Sequence, residues 1–264
     1  MLELERVAAA HWRGTEEQWL GEWLLRAADG FTGRANSALP LGDPGLPLDE
    51  ALDYVTGWYR ARGLPAVMAV PLPLLPADDA PAVGLDAELA GRGWATRPGP
   101  AFVMVADLPL APPGGGLPAG ALPPGAMVAA DTEPDEGWIA AYHYRGTDQQ
   151  PPVLRDVLTS AREQAFISIR AESGVLAIAR LSLAGGWAGI TAVEVDPARR
   201  RAGLGLAITA AACAEAVGRG VRRVFLQVAV DNAGARALYE RCGFRYSHRY
   251  HYRVAPASGA FSLS

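Results

Sequence analysis

The chain has 264 residues, with 24 basic against 28 acidic side chains and a net charge of −4. That length suits one or two domains with buried cores, and the near balance of charge leaves no footprint for nucleic acid or an anionic membrane. Every basic residue is arginine, and the richness in Ala, Gly and Pro reads as coding bias rather than function. Cys213 and Cys242 are isolated, with no CxxC or His/Cys ligand spacing. They point to a reducing compartment and to no metal site. No apolar run reaches the ~18 residues of a membrane span and no charged-then-apolar leader opens the chain, so a soluble, cytoplasmic protein is expected.

In chain order, residues 1–30 scatter Trp12, Trp19, Trp23, Leu20, Leu24 and Leu25 through a polar background. Trp23–Ala27 reads as a strand, and G-F-T-G-R-A-N-S at 30–37 as a turn entering another. Arg34 and Asn36 in that turn either brace the structure or reach a substrate cleft, and bracing is the simpler reading. Residues 39–47 form a loop dense in breakers. Leu48–Arg62 is expected as a helix, with Leu52, Val55 and Tyr59 on one face and Gly63 at its end. Ala66–Val70 reads as a strand, Asp86–Gly91 as a short helix and Phe102–Val105 as a strand. Residues 109–125, rich in Pro and Gly without periodicity, form a linker. Beyond it, Met127–Ala130 is a strand, and Glu133–Tyr144 and Pro152–Gln164 are helices around a loop with Gly146 and Asp148. Ala165–Arg170 and Val175–Leu183 are hairpin strands joined by Glu172-Ser173-Gly174.

The most informative stretch is V-E-V-D-P-A-R-R-R-A-G-L-G, Val193 to Gly205. It opens as a short β-branched strand that Pro197 must end. Arg199, Arg200 and Arg201 then lead into Gly203, Gly205 and an Ala-rich helix, whose apolar stripe is drawn through Leu206, Ala210, Cys213 and Val217. A strand, a basic glycine turn and a helix start make an anion cradle. Amides at a helix N-terminus lack internal partners, glycine admits a phosphate to the backbone, and arginine adds bidentate charge. The Rossmann fingerprint fails because its third glycine position is Ile208, and a P-loop fails because the chain has no lysine.

The remaining pattern, R-x-x-G-x-G over Arg200–Gly205 after V-x-V-D-P, resembles the acyl-CoA pyrophosphate loop of the GNAT superfamily of N-acetyltransferases. The resemblance continues in order. Val224–Val230 reads as a buried strand, and D-N-A-G-A-R-A-L-Y-E-R-C-G-F, Asp231–Phe244, is similar to the family's N-x-x-A-x-x-L-Y-x-x-x-G-F helix. The resemblance implies an α/β (α+β) fold of mixed, mostly antiparallel sheet flanked by helices. It also implies acetyl-CoA as cosubstrate and an amine acceptor, either a small molecule or a peptide. Val193 and Val195 would face the acyl chain, with Arg200, Arg201, Ala202, Gly203, Leu204 and Gly205 on the pyrophosphate and Asn232 on the pantetheine amides. A backbone amide near Val195 is suited to polarise the thioester carbonyl. Asn232 and Tyr239 share a helix face ~10 Å apart. The resemblance gives Tyr239 the role of general acid toward the departing thiolate, chemistry suited to a phenol.

The general base is less determined. In relatives that acetylate ribosomal-protein N-termini, a glutamate occupies the strand before the Asn helix. Gln227 stands there instead, and an amide cannot take a proton. Glu194 is the alternative base, set against its pairing with a nearby arginine or a water chain doing the work. Trp138, Tyr142 and His143 fall where substrate-facing helices belong, with a structural role the default for such a histidine. Cys213 should be buried and Cys242 lacks a positioned base, which favours direct attack in a ternary complex over a covalent enzyme intermediate.

Elements before the linker repeat the order of those after it, offset by about 150–158 residues. This is similar to a two-domain branch of the superfamily whose first copy is degenerate. Where the second copy has D-P-A-R-R-R-A-G-L-G, the first has D-P-G-L-P-L-D-E, and carboxylates at a helix start repel a pyrophosphate. The expected division is a degenerate domain at 1–108, the linker at 109–125, a catalytic domain at 126–255 and a flexible tail at 256–264, in a monomer or homodimer. Readings from other classes remain open at this point: a CoA-binding sensor without efficient turnover, or a scaffold with both copies inactive.

Overall fold

A computed structural model describes residues 1–75, 81–110, 122–143 and 150–256. The first repeat comprises α1 (Leu2–Ala9), β1 (Glu16–Leu20), β2 (Trp23–Ala27), β3 (Leu39–Pro40), α2 (Leu48–Arg60), β4 (Val67–Leu72), α3 (Pro81–Gly91) and β5 (Ala95–Asp107). There follow β6 (Met127–Asp131), α4 (Glu136–Ala140), α5 (Leu154–Leu158), β7 (Glu163–Ala171), β8 (Gly174–Ala184) and β9 (Trp187–Val195). The chain ends with α6 (Leu204–Gly218), β10 (Arg223–Ala229), α7 (Ala233–Arg241) and β11 (Arg245–Val254).

Two compact units result. The first is Met1–Phe102 with Pro151–Ser160 and Ser247–Ser264, and the second is Val103–Gln150 with Ala161–Tyr246. This division differs from limits at 108 and 126, because α5 and most of β11 belong to the first unit and the end of β5 to the second. Residues 111–121 of the expected linker, the loop with Gly146 and Asp148, and the tail from 257 lie outside the described residues.

In the first unit β1, β2 and β3 form an antiparallel meander. Against it packs α2, which buries Ala51, Leu52, Val55, Trp58 and Tyr59, the 3–4 spacing of an amphipathic helix. The core gathers Trp23, Leu25, Leu52, Tyr59, Met68 and Leu89. The G-F-T-G-R-A-N-S turn is a hydrogen-bond knot. Asn36 Oδ1 accepts from the amides of Ala28 (2.8 Å) and Gly30 (2.9 Å), and its Nδ2 donates to the carbonyls of Phe31 (2.7 Å) and Thr32 (2.9 Å). Arg34 lies over the Trp12 ring. The motif therefore braces its own turn. Strand β4 pairs antiparallel with β11, from Val67↔Val254 to Leu72↔Arg249. Asp86 of α3 clamps this strand. It accepts from Arg253 Nε (2.8 Å) and Nη2 (3.0 Å) and meets His251 Nε2 at 2.7 Å; burial works to raise its carboxyl, and these partners together outweigh it and leave the group below the usual range.

In the second unit β6, β7, β8 and β9 are antiparallel neighbours, β10 is parallel to β9, and β5 lies beyond β10. The sheet is mixed and mostly antiparallel, as expected. Helix α6 packs on β7, β8 and β9. Its buried face runs through Leu204, Ala207, Ile208, Ala212, Cys213 and Ala216, not through Leu206, Ala210 and Val217. A helix apolar on nearly every side gives periodicity no purchase, and the sheet beneath it chooses the face.

Helices around the acceptor side are shorter than expected. Helix α4 covers Glu136–Ala140 in place of Glu133–Tyr144, and α5 covers Leu154–Leu158 in place of Pro152–Gln164, with Glu163 and Gln164 already in β7. Asp135 caps α4 through its bond from the Trp138 amide (2.7 Å), so the helix starts three residues later than composition suggests.

The two repeats close with each other's last strand, since β11 completes β4 in the first unit and β5 lies beside β10 in the second. A fragment comprising residues 1–110 keeps β4 and loses β11. Its thermal unfolding, followed by circular dichroism, is expected to show no cooperative transition, and adding residues 151–160 and 245–256 through flexible linkers should restore one.

Candidate active site

The site begins where two parallel strands part. Strands β9 and β10 are paired at Ala188↔Val224, Gly189↔Phe225 and Ile190↔Leu226, yet β9 runs on to Val195 and β10 to Ala229. A bulge turns β9 at this point. Between Ile178↔Glu194 and Arg180↔Thr191 one residue of β8 faces two of β9, and Ala192 takes a φ of 52°. On the other side β8 continues its ladder to the Asp196 amide, which donates to the Leu176 carbonyl at 2.9 Å. Ala177 and Val195 are therefore a non-hydrogen-bonded pair, and the Val195 N–H and C=O point away from β8, toward the gap that β10 has left.

After β9, Asp196 Oδ1 accepts from the Ala198 amide (2.9 Å) and starts the 3-10 turn Pro197–Arg199. Two residues with positive φ, Arg201 (63°) and Gly203 (84°), then curl the chain into α6. The first intrahelical bond runs from the Ala207 amide to the Gly203 carbonyl, and no side chain caps the start. The amides of Leu204, Gly205 and Leu206 have no partner in their own helix, at its positive end, beside the exposed Arg199, Arg200 and Arg201. A Cβ on Gly203 would meet nothing within 4 Å, so backbone conformation is the demand there. Gly205 answers to packing instead. A Cβ on it would come within 2.9 Å of Leu238 Cδ1 on α7, so its absence lets α7 lie against the start of α6. Leu204 is buried, and its backbone alone is available to a ligand.

Below this loop lies a cavity of about 680 Å³, lined by Ala141, His143, Val175, Leu176, Ala177 and the segment Val193–Pro197 with Arg200. It brings together Val193, Glu194, Val195 and Arg200. Asn232 and Tyr239 are not among its lining residues. Among the described residues Glu194 has no direct bond to an arginine. Its Oε1 accepts from the His143 backbone amide at 2.7 Å, and its Oε2 lies 3.3 Å from His143 Nδ1. Burial pushes the Glu194 carboxyl above the usual carboxylate range, against the opposing pull of His143 and of the Arg200 charge. His143 is delivered by α4, whose Trp138 indole donates to the Ile167 carbonyl (3.1 Å) and stacks on Tyr142, while Asp135 holds Arg170 (2.8 Å). The two residues stand 51 positions apart, a pairing that no sequence spacing signals.

On α7 Asn232 is the N-cap, its Oδ1 accepting from the Ala235 amide at 3.1 Å. The capping role is thus real, and its Nδ2 is the donor that remains for a ligand amide. Tyr239 is buried against Phe244, and burial, with Cys242 adding to it, pushes its phenol far above the ordinary value. Such a hydroxyl stays protonated at neutral pH and keeps a proton to give. Cys213 and Cys242 are both buried, and burial raises the Cys213 thiol to about 12. No group of three or more potential metal-ligating side chains occurs among the described residues.

The first repeat closes the equivalent loop with its own carboxylates. The Asp43 amide donates to Glu22 Oε2 (3.1 Å), the Gly45 amide to Asp43 Oδ1 (2.7 Å), and Asp49 and Glu50 occupy the first turn of α2. An anion is repelled there.

Parted parallel strands with an open helix start at their end are the architecture of the GNAT N-acetyltransferases, and the likenesses to known proteins agree. The family described as "Probable histone acetyltransferase Rv0428c C-terminal" matches residues 1–253. A relative carrying the name "Probable histone acetyltransferase Rv0428c", from Mycobacterium tuberculosis, is 30% identical over 263 residues, covering 97% of this chain and 74% of the relative. Among solved structures, a GCN5-related N-acetyltransferase from Kribbella flavida superposes with a TM-score of 0.66 at 19% identity, over 98% of this chain and 95% of that one. A tandem GNAT protein from the clavulanic acid biosynthesis pathway gives 0.64 at 18% identity, over 84% and 76%. The chain belongs to the Rv0428c C-terminal family of GNAT acetyltransferases.

Gly205→Ala tests the packing role. Leu238 must move a few tenths of an ångström, and a loss of about 1 kcal/mol is expected in chemical denaturation. Gly203→Ala should cost a similar ~1 kcal/mol through backbone strain alone.

Proposed function

We propose that this acetyltransferase moves an acetyl group from acetyl-CoA to a primary amine of a small molecule or peptide, by direct attack with both substrates bound. The observation that carries the reading is one cavity lined both by Arg200, from the basic loop that leads into α6, and by Glu194 on β9. The amides of Leu204–Leu206 with Arg200 and Arg201 suit a pyrophosphate. The β9 edge left by β10 suits the two amides of pantetheine, and Asn232, at the start of the helix after β10, adds a donor for them. The Val195 N–H, aimed into the gap, is placed to stabilise charge on a thioester oxygen.

Glu194 takes a proton from the ammonium form of the acceptor, giving the neutral amine that attacks the acetyl carbon. As the carbon–nitrogen bond forms the carbon–sulfur bond breaks, Tyr239 gives its proton to the sulfur, and the second proton, shed by the acylated nitrogen, passes through solvent to restore the phenol. Buried thiols argue against an acyl-enzyme, since burial disfavours the thiolate such a step requires. Free buried cysteines also suit work in the reducing cytoplasm.

Calorimetry with acetyl-CoA tests the cradle: replacing Arg200 by Ala should weaken binding about tenfold, the loss of one charge-assisted contact. An unchanged dissociation constant overturns the assignment. Tyr239→Phe should leave that constant alone and reduce kcat by about 100-fold in an assay of thiol release with an amine panel. Because a protonated Glu194 is inactive and its pKa is raised, kcat/KM should fall with decreasing pH already above the ordinary carboxylate range, and Glu194→Gln should abolish that limb.

A further inference from the structure

We infer that His143 is a positioning residue of the reaction, which sets the orientation and proton affinity of Glu194 from a separate element of the fold. The inference rests on the reading of Glu194 as the base. Both carboxylate oxygens of Glu194 engage the same residue, Oε1 through the His143 amide at 2.7 Å and Oε2 opposite its Nδ1 at 3.3 Å. A two-point hold fixes the carboxylate plane as one contact could not. Neither side chain belongs to the core. Both line the cavity, with 39% of the His143 and 26% of the Glu194 side chain exposed. A pair placed for stability alone would have no reason to face open space.

Among the described residues, the groups around Glu194 leave the imidazole as the adjustable one. From the opposite strand β8 its register partner is Ile178, and Leu176 and Ala177 beside it are apolar. On its own segment Asp196 is occupied in capping the Ala198 amide, and Arg200 acts through its charge from the loop. His143 follows α4, which is fixed by Trp138 and Asp135 contacts that do not involve Glu194. With Nδ1 protonated the ring donates to Oε2 and stabilises the carboxylate; without the ring, burial dominates and the carboxyl binds its proton more tightly.

Carboxyl titration of the full-length protein labelled with ¹³C in its glutamate side chains tests this without an acceptor, with Glu194→Gln assigning the resonance. In His143→Ala the Glu194 midpoint should move to higher pH. His143→Asn places an amide nitrogen where Nδ1 stood and should return part of the shift. In the thiol-release assay with phenethylamine and a lysine-containing peptide as probes, the acid limb should move in parallel, and kcat/KM at neutral pH should drop about tenfold in His143→Ala with KM for acetyl-CoA unchanged. A Glu194 midpoint that stays in place in His143→Ala overturns the positioning role. A midpoint that moves while the acid limb does not removes Glu194 from the chemistry, and with it the reading underneath.

Discussion

The parting of β9 from β10 is the constraint on which the rest of the second unit depends. Parallel strands normally share evenly spaced hydrogen bonds along their length, and each backbone group left unpaired in a buried setting costs about 1–3 kcal/mol. Here the ladder runs for three residue pairs and stops at Ile190↔Leu226, while both strands continue. The bulge at Ala192 supplies the turn, and Gly205 lets Leu238 of α7 lie against the start of α6. A strand edge opened in this way offers donors and acceptors to a linear diamide. The exposed helix start at its end offers charge to a phosphate.

The duplicated first repeat shows what that function requires beyond the fold. It has the same succession of strand, D-P loop, helix, strand, helix and strand. What it lacks is positive charge at the loop: Asp49 and Glu50 stand in the first turn of α2, and Glu22 and Asp43 accept from two of the loop's amides. The copy contributes structure instead, and the exchange of closing strands ties it to the chain's end: β11 lies on β4, clamped by Asp86 through Arg253 and His251. A stretch that reads as the end of a catalytic domain is also a strand of the first unit.

What was legible in the sequence is what local chemistry dictates. Glycine and arginine at fixed offsets after a strand announced the loop, and Gly203 has the positive φ such a turn requires. The Asn232–Tyr239 helix carries its own cap. Elements set by tertiary packing were not legible. Helix α1 was missed because its buried face includes a carboxylate, Glu5, which pairs with His248 on a strand far along the chain. The stripe on α6 was misplaced because nearly every side of that helix is apolar. Helix α4 is five residues long and owes its position to Trp138 and Asp135, so no periodicity could locate it. The Glu194–His143 pair depends on that placement, and an arginine was the nearer guess because arginines are adjacent in sequence.

The arrangement of charge along the cavity has a consequence for the order of events. Arg200 lines the same cavity as Glu194, and its charge lowers the proton affinity of that carboxylate in the free protein. A pyrophosphate seated on the loop would neutralise Arg200 and bring further negative charge near it. The carboxylate would then hold a proton more tightly, becoming the stronger base once the acetyl donor is present. The His143 contacts would resist the change and keep the group ionised enough to act. A base that strengthens on donor binding favours deprotonating the amine when there is an acetyl group for it to attack. On the proposed function, strand edge, helix start and half-buried carboxylate would act as parts of one electrostatic unit.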